Sequence, residues 1–244
     1  MNISDYKTLS DTLCQTVKTY PDRAAYCVPP MVGRSYHPQG WEITWQQVME
    51  GVEAKKSVYA KAGVGHGHRV AILFEQRPEF FFHYYALNAL GAGIVPINPD
   101  YLTDEVKYVV EHSEASLAVC VDSRIEEMIS ISSEITTDIK VVSFDSFPEE
   151  LPKLPEAPYK DAPSAATEAA LIYTSGTTGK PKGCVLTNEY FHTFGASYLF
   201  AGGRLDFRDT GERLYNPLPL HHANCLSISV PAMLMSGGCV IFPD

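Results

Sequence analysis

The sequence predicts an α/β protein built on mostly parallel sheets flanked by helices. From Arg69 to Phe144, short apolar runs alternate with helix-length segments in a βαβαβαβ rhythm, which suits a sheet covered on both faces. A proline-rich acidic stretch, residues 146–166, then interrupts that rhythm. The chain has 244 residues and is 45% hydrophobic, enough to bury a sizeable core. The expected organisation is a first α/β subdomain over 1–145, a connecting segment over 146–168, and the start of a second α/β subdomain over 169–244. Both subdomains are parts of one large domain.

Leu9, Leu13, Val17 and Tyr20 recur at helical spacing, and Pro21-Asp22 ends that helix. Ala24 to Val28 reads as a strand, followed by a Pro/Gly loop from Pro29 to Gly40. Thr44 caps a helix running from about Trp45 to Ala62, and Gly63 stops it. Arg69–Phe74 is a buried strand, and Pro78 opens an aromatic helix (Phe80, Phe81, Phe82, Tyr84, Tyr85) whose continuous apolarity predicts burial. Ile94–Ile97 is a short strand; Thr103, Asp104 and Glu105 start the next helix; Leu117–Val121 is another strand. Ser123 and Glu126 have the spacing of a capping box for the following helix, and Lys140–Phe144 completes the set.

Prolines 148, 152, 155, 158 and 163 allow neither helix nor central strand, so this segment is expected on the surface. After it, the apolar runs 169–173 and 184–187 enclose a loop, and a helix capped near Thr187 or Asn188 follows. There are no internal repeats.

Composition narrows the function. The formal net charge is −10, with no basic stripe that could track a nucleic acid backbone. No apolar run approaches the roughly 18 residues that span a bilayer. The N-terminus lacks the basic start and apolar core of a signal peptide, so a soluble, cytoplasmic protein is expected. The six cysteines are scattered, without a Cys-x-x-Cys pair, and several lie in apolar runs; buried reduced thiols are expected.

The stretch Tyr-Thr-Ser-Gly-Thr-Thr-Gly-Lys-Pro-Lys-Gly, residues 173–183, carries the chemistry. It holds four Ser/Thr hydroxyls, three glycines and two lysines, and no acid. Glycines let backbone amides approach a phosphate, hydroxyls add donors, and ammonium groups add point charges. A nucleoside triphosphate is the expected ligand. The loop is not a Walker A motif, because only two residues separate Gly176 from Gly179 and Pro181 follows Lys180. With strand-like runs on both sides, no helix N-terminus points at the phosphates. Side chains and loop amides must supply the donors.

This eleven-residue stretch resembles the phosphate-binding signature of the adenylate-forming superfamily, which includes acyl-CoA synthetases, luciferases and peptide-synthetase adenylation domains. Leu-Asn-Ala-Leu-Gly-Ala-Gly-Ile-Val-Pro-Ile-Asn-Pro at 87–99 and Pro-Leu-His-His-Ala-Asn at 219–224 are similar to further segments of that family, in the same order. The resemblance implies the layered αβαβα arrangement of that family's N-terminal domain, here truncated. It also implies ATP-dependent conversion of a small-molecule carboxylic acid to an acyl-adenylate, then thioester formation with coenzyme A, with Mg²⁺ assisting. Thr174, Ser175, Gly176, Thr177, Thr178, Gly179, Lys180 and Lys182 would bind the nucleotide. His222 matches the family histidine beside the acyl group and is the expected catalytic residue. His221 stands where the family usually has an aromatic residue, which alters the shape expected for this part of the acyl pocket. No metal ligand is assigned.

The family's Tyr-Gly-x-Thr-Glu segment, its ribose-binding aspartate and its C-terminal lysine do not occur here, so the chain is expected to be the N-terminal part of a ligase and inactive alone. A nucleotide-binding or interaction module without ligase activity, or an amino-acid-adenylating or luciferase-like member, stays open as an alternative.

Overall fold

Thr8 and Asp11 exchange side chain and backbone hydrogen bonds at 3.0 Å each, a capping box that opens the first helix, α1 (Leu9–Thr19). The structure is a computed structural model that describes residues 7–174, 180–203, 207 and 211–243. Strands β1 (Ala24–Val28) and β2 (Trp41–Thr44) follow. The loop between them is organised by Arg34, whose guanidinium donates to the carbonyls of Pro29, Tyr36, His37 and Pro243. Thr44 accepts from the Gln47 amide and starts α2 (Trp45–Ala62), and Gly63, at φ 93°, ends it in the left-handed region where a Cβ is unfavourable.

The alternating section runs β3 (Arg69–Leu73), α3 (Phe80–Ala89), β4 (Gly93–Ile97), α4 (Thr103–Ser113), β5 (Leu117–Cys120), α5 (Ile125–Glu134) and β6 (Lys140–Ser143). Residues 144–167 form neither helix nor strand. Then come β7 (Glu168–Thr174), β8 (Lys182–Thr187), α6 (Asn188–Leu199), β9 (Arg213–Tyr215), a π-helical turn (Cys225–Ser229), α7 (Val230–Ser236) and β10 (Cys239–Ile241).

The described residues form two sheets, with strand orders β6-β5-β3-β4-β7-β8 and β2-β1-β10-β9. Among the described residues every strand pairing is parallel except β1–β2 and β7–β8. Sheet membership cuts across the three segments expected from the sequence. β7 and β8 extend the sheet of β3–β6, while β10 and β9 complete the sheet begun by β1 and β2.

Alternate residues of the parallel strands face two cores. Val70, Ile72, Ile94, Leu117 and Val119 join a large core with residues of α1, α2, α3, α6 and α7 and of the four-stranded sheet. Ala71, Leu73, Val95, Ile97 and Ala118 face Val106, Val109 and Val110 of α4 and Met128 and Ile131 of α5. The layers therefore run αβαβ, the first four of the αβαβα arrangement. The aromatic helix lies in the larger core as expected: Phe81 stacks on Tyr26 with centroids 4.3 Å apart, and the hydroxyls of Tyr26 and Tyr85 share a buried hydrogen bond of 2.9 Å.

The capping box expected at Ser123 and Glu126 does not form. Asp122–Arg124 instead makes one 3-10 turn, the Asp122 carboxylate accepts from the Ser143 hydroxyl, and Arg124 pairs with Glu127. Arg124 also donates to the carbonyls of Pro99 and Tyr101, so contacts between elements override the local signal. Among the cysteines, Cys120, Cys225 and Cys239 are buried and Cys184 is exposed. No helix among the described residues is long and apolar enough to cross a membrane.

Candidate functional site

Strands β7 and β8 form the hairpin that carries the phosphate-loop sequence. Thr174 lies opposite Lys182, so residues 175–181 connect the two strands. Ser175, Gly176, Thr177, Thr178 and Gly179 lie outside the described residues; Thr174, Lys180 and Lys182 are described and exposed. No helix follows the loop directly, because β8 begins at Lys182.

Helix α4 supports both sides of this loop. Tyr108 and His112 are four residues apart and share one face of the helix. The Tyr108 hydroxyl donates to the Pro181 carbonyl at 3.1 Å, and the Lys180 Nζ lies 5.3 Å from the centroid of the Tyr108 ring. His112 Nδ1 and the Tyr173 hydroxyl are 2.7 Å apart. Burial, aided by Tyr108, pushes the Tyr173 hydroxyl up to about 12, so it stays protonated.

The opposite end of the hairpin is fixed by a bidentate pair. Arg69 Nε and Nη2 donate to Glu168 Oε1 and Oε2 at 2.7 and 2.9 Å, and Arg69 Nη1 donates to the Ser113 carbonyl at 3.0 Å. A Cβ at Gly93 would stand 2.8 Å from Glu168 Oε1, so glycine there leaves room for the pair.

The second part of the site lies on the same edge of the sheet, at the carboxyl ends of β3 and β4. A cleft of about 410 Å³ is walled by Phe74, Phe80, Ile97 and Leu220, with Asp100 and His221 among its polar residues. Burial, then the neighbouring His222, lowers the His221 pKa, while Asp100 opposes the shift. His221 is therefore the histidine that lines the cleft; His222 is exposed. The His222 amide donates to the Pro219 carbonyl at 3.0 Å and its carbonyl accepts from the Leu226 amide at 3.2 Å, which leads the chain into the π-helical turn.

Asn224 makes no side-chain cap there. Cys225 is packed: Asn216 Nδ2 lies 2.9 Å from its sulfur, and burial pushes the thiol up to about 12. Among the described residues, no group of three His, Cys, Asp or Glu side chains could hold a metal ion.

Tyr108, His112 and Gln76, which anchor these loops, are not identifiable from sequence. Only the four-residue spacing of Tyr108 and His112 hinted that they share a face.

Residues 13–244 match the family model described as AMP-binding enzyme. A long-chain-fatty-acid–CoA ligase, FadD15, from Mycobacterium bovis is 32% identical over 216 residues, covering 78% of this chain and 36% of that protein. A sulfoacetate–CoA ligase from Cupriavidus necator is 26% identical, covering 98% of this chain and 45% of that protein. The chain thus spans less than half the length of these curated relatives. In fold it matches a long-chain-fatty-acid-CoA ligase (FadD1) from Archaeoglobus fulgidus with a TM-score of 0.79, at 20% identity, covering 96% of this chain and 46% of that one. The N-terminal domain of FACL13 from Mycobacterium tuberculosis gives 0.77 at 24% identity, covering 98% and 58%. By its hairpin, its layered sheets and this match across nearly its whole length, the chain belongs to the AMP-binding enzyme family.

Proposed function

We propose that this chain contributes the phosphate-binding part of an ATP-dependent acid–thiol ligase. The carrying observation is the hairpin β7–β8, whose paired residues Thr174 and Lys182 bracket the hydroxyl-, glycine- and lysine-rich sequence at the carboxyl end of β7, in a chain of the AMP-binding enzyme family. A carboxylate oxygen of the substrate acid attacks the α-phosphorus of ATP, and the bond to the bridging oxygen of pyrophosphate breaks. In a second step a thiol, that of coenzyme A in this reading, attacks the acyl carbon, releases AMP and gives up its proton.

The chain's part is positional and electrostatic. Thr174, Ser175, Thr177 and Thr178 donate to phosphate oxygens, Gly176 and Gly179 admit the backbone amides, and Lys180 and Lys182 neutralise the departing pyrophosphate. The relatives named as CoA ligases support the class of acceptor. His222 is placed beside the reacting carboxylate in this reading, with His221 shaping the cleft next to it. Mg²⁺, when bound with ATP, would help neutralise the phosphates; none of the described residues is assigned as its ligand.

Carboxylate-dependent exchange of labelled pyrophosphate into ATP by the full protein tests this reading. Exchange with at least one acid of a fatty, aromatic and small polar panel is expected. ATP binding without any exchange would make the protein a nucleotide-binding module instead.

A further inference from the structure

Gln76 lies three residues past the end of β3, on the wall of the cleft. Its side-chain amide spans a proline. Nε2 donates to the Leu218 carbonyl at 2.9 Å, and Oε1 accepts from the Leu220 amide at 3.1 Å. Pro219, between them, has no N–H to offer. One side chain therefore supplies the pair of hydrogen bonds that a neighbouring strand would give, and fixes both the rotation and the register of segment 218–220.

Both sides of this bridge are held. The Gln76 carbonyl accepts from the Tyr36 hydroxyl at 3.0 Å, and the adjacent Arg77 pairs with Glu75 and Asp145 at 2.9 and 2.8 Å. On the segment itself, Asn216 Oδ1 accepts from the Leu218 amide at 3.0 Å, and the Pro219 carbonyl accepts from the His222 amide. The bridge also joins two sheets: Gln76 follows a strand of the six-stranded sheet, and segment 216–222 follows β9 of the four-stranded one.

We propose that Gln76 is a positioning residue for the His221–His222 pair. Through Leu218 and Leu220 it sets where the two imidazoles stand relative to the cleft. The assignment rests on the acid-activation reading, in which this pair faces the substrate acid. Its partners Leu218 and Leu220 lie on the segment that leads into the two histidines, so its loss is expected to act on the acid side of the reaction.

The test compares Gln76→Ala and Gln76→Glu with the unaltered full protein; Glu keeps the length and removes the donor to Leu218. In pyrophosphate exchange, kcat is expected to fall by about ten-fold or more and KM for the acid to rise, while KM for ATP holds. Equal losses in every parameter would mean a structural role and overturn the proposal.

A second readout does not need catalysis. The His221 ring is followed by NMR across pH 4–8, with His222, Asp100 and Glu75 as its charged surroundings. In Gln76→Ala the imidazole should leave the cleft, and its titration midpoint should move up towards that of a free histidine. An unchanged midpoint overturns the proposal. If the unaltered protein shows no exchange, the acid-activation reading fails, and this titration still decides whether Gln76 holds the pair. Should Gln76→Ala not fold, Gln76→Glu carries the same comparison.

Discussion

The Tyr108 hydroxyl donates to the Pro181 carbonyl, so helix α4 grips the last residue of the phosphate loop before β8 begins. The same ring lies beneath the Lys180 ammonium. Side-chain replacement separates the two contacts. Tyr108→Phe keeps the ring and loses a hydrogen bond of about 1 kcal/mol, so ATP affinity should fall about five-fold. Tyr108→Ala also loses the cation–π contact, about 0.5–1 kcal/mol more. Calorimetric titration with ATP checks the order: unaltered, then Phe, then Ala.

Lys180 and Lys182 are both exposed, where they can turn towards a ligand. A charged hydrogen bond to phosphate contributes about 1.5–3 kcal/mol. Replacing both by Ala should therefore lower kcat/KM for ATP by about a hundred-fold or more, with the unfolding midpoint unchanged. Unaltered exchange kinetics would remove both lysines from the site.

Glu168 is the anchor at the foot of the hairpin. Glu168→Gln leaves Arg69 hydrogen-bonded but without its charge partner. Because the pair is only partly buried, with side chains 26% and 22% exposed, the expected loss is about 1–2 kcal/mol in urea unfolding. The double variant Arg69→Met/Glu168→Gln should lose less than the sum of the two single changes.

His192 predicts a pH dependence. Its Nε2 and the Thr12 hydroxyl are 2.8 Å apart in the core, and burial lowers its pKa to about 4. The unfolded chain takes up this proton near pH 6.5, whereas the folded chain resists until about 4. Acid therefore favours unfolding through that interval, and stability at neutral pH should drain away by up to about 1.4 kcal/mol per pH unit. His83, also buried and lowered well below the usual value, acts in the same direction. His192→Gln should flatten the curve between pH 6.5 and 4, measured by urea unfolding at a series of pH values.

Features with local causes were readable from the sequence. Thr44 and Gly63 bracket α2 because a capping hydroxyl and a left-handed glycine act on their own turns. The strand–loop–strand character of the phosphate hairpin was equally local. Features made by distant partners were not readable. The short strand β9 is defined by pairing with β10, and β2 by pairing with β1. Ser123 and Glu126 had the right spacing for a cap, yet Asp122 and Arg124 found better partners in β6, in the segment after β4 and in Glu127. The supports of the candidate site belong to this second class. Tyr108 stands 73 positions from Pro181, and Gln76 stands 142 from Leu218.

The insertion of β10 between β1 and β9 has a consequence for biogenesis. On the ribosome, β1 and β2 emerge early, yet β10, the other neighbour of β1, emerges much later, after all the strands of the six-stranded sheet. Until then Tyr26, Trp45 and Phe81 lack the Phe242 side of their aromatic cluster, and one strand edge stays unpaired. The nascent chain should therefore engage a holdase chaperone until β10 has emerged, and a stalled chain ending before Cys239 should remain protease-sensitive in the hairpin of β1 and β2.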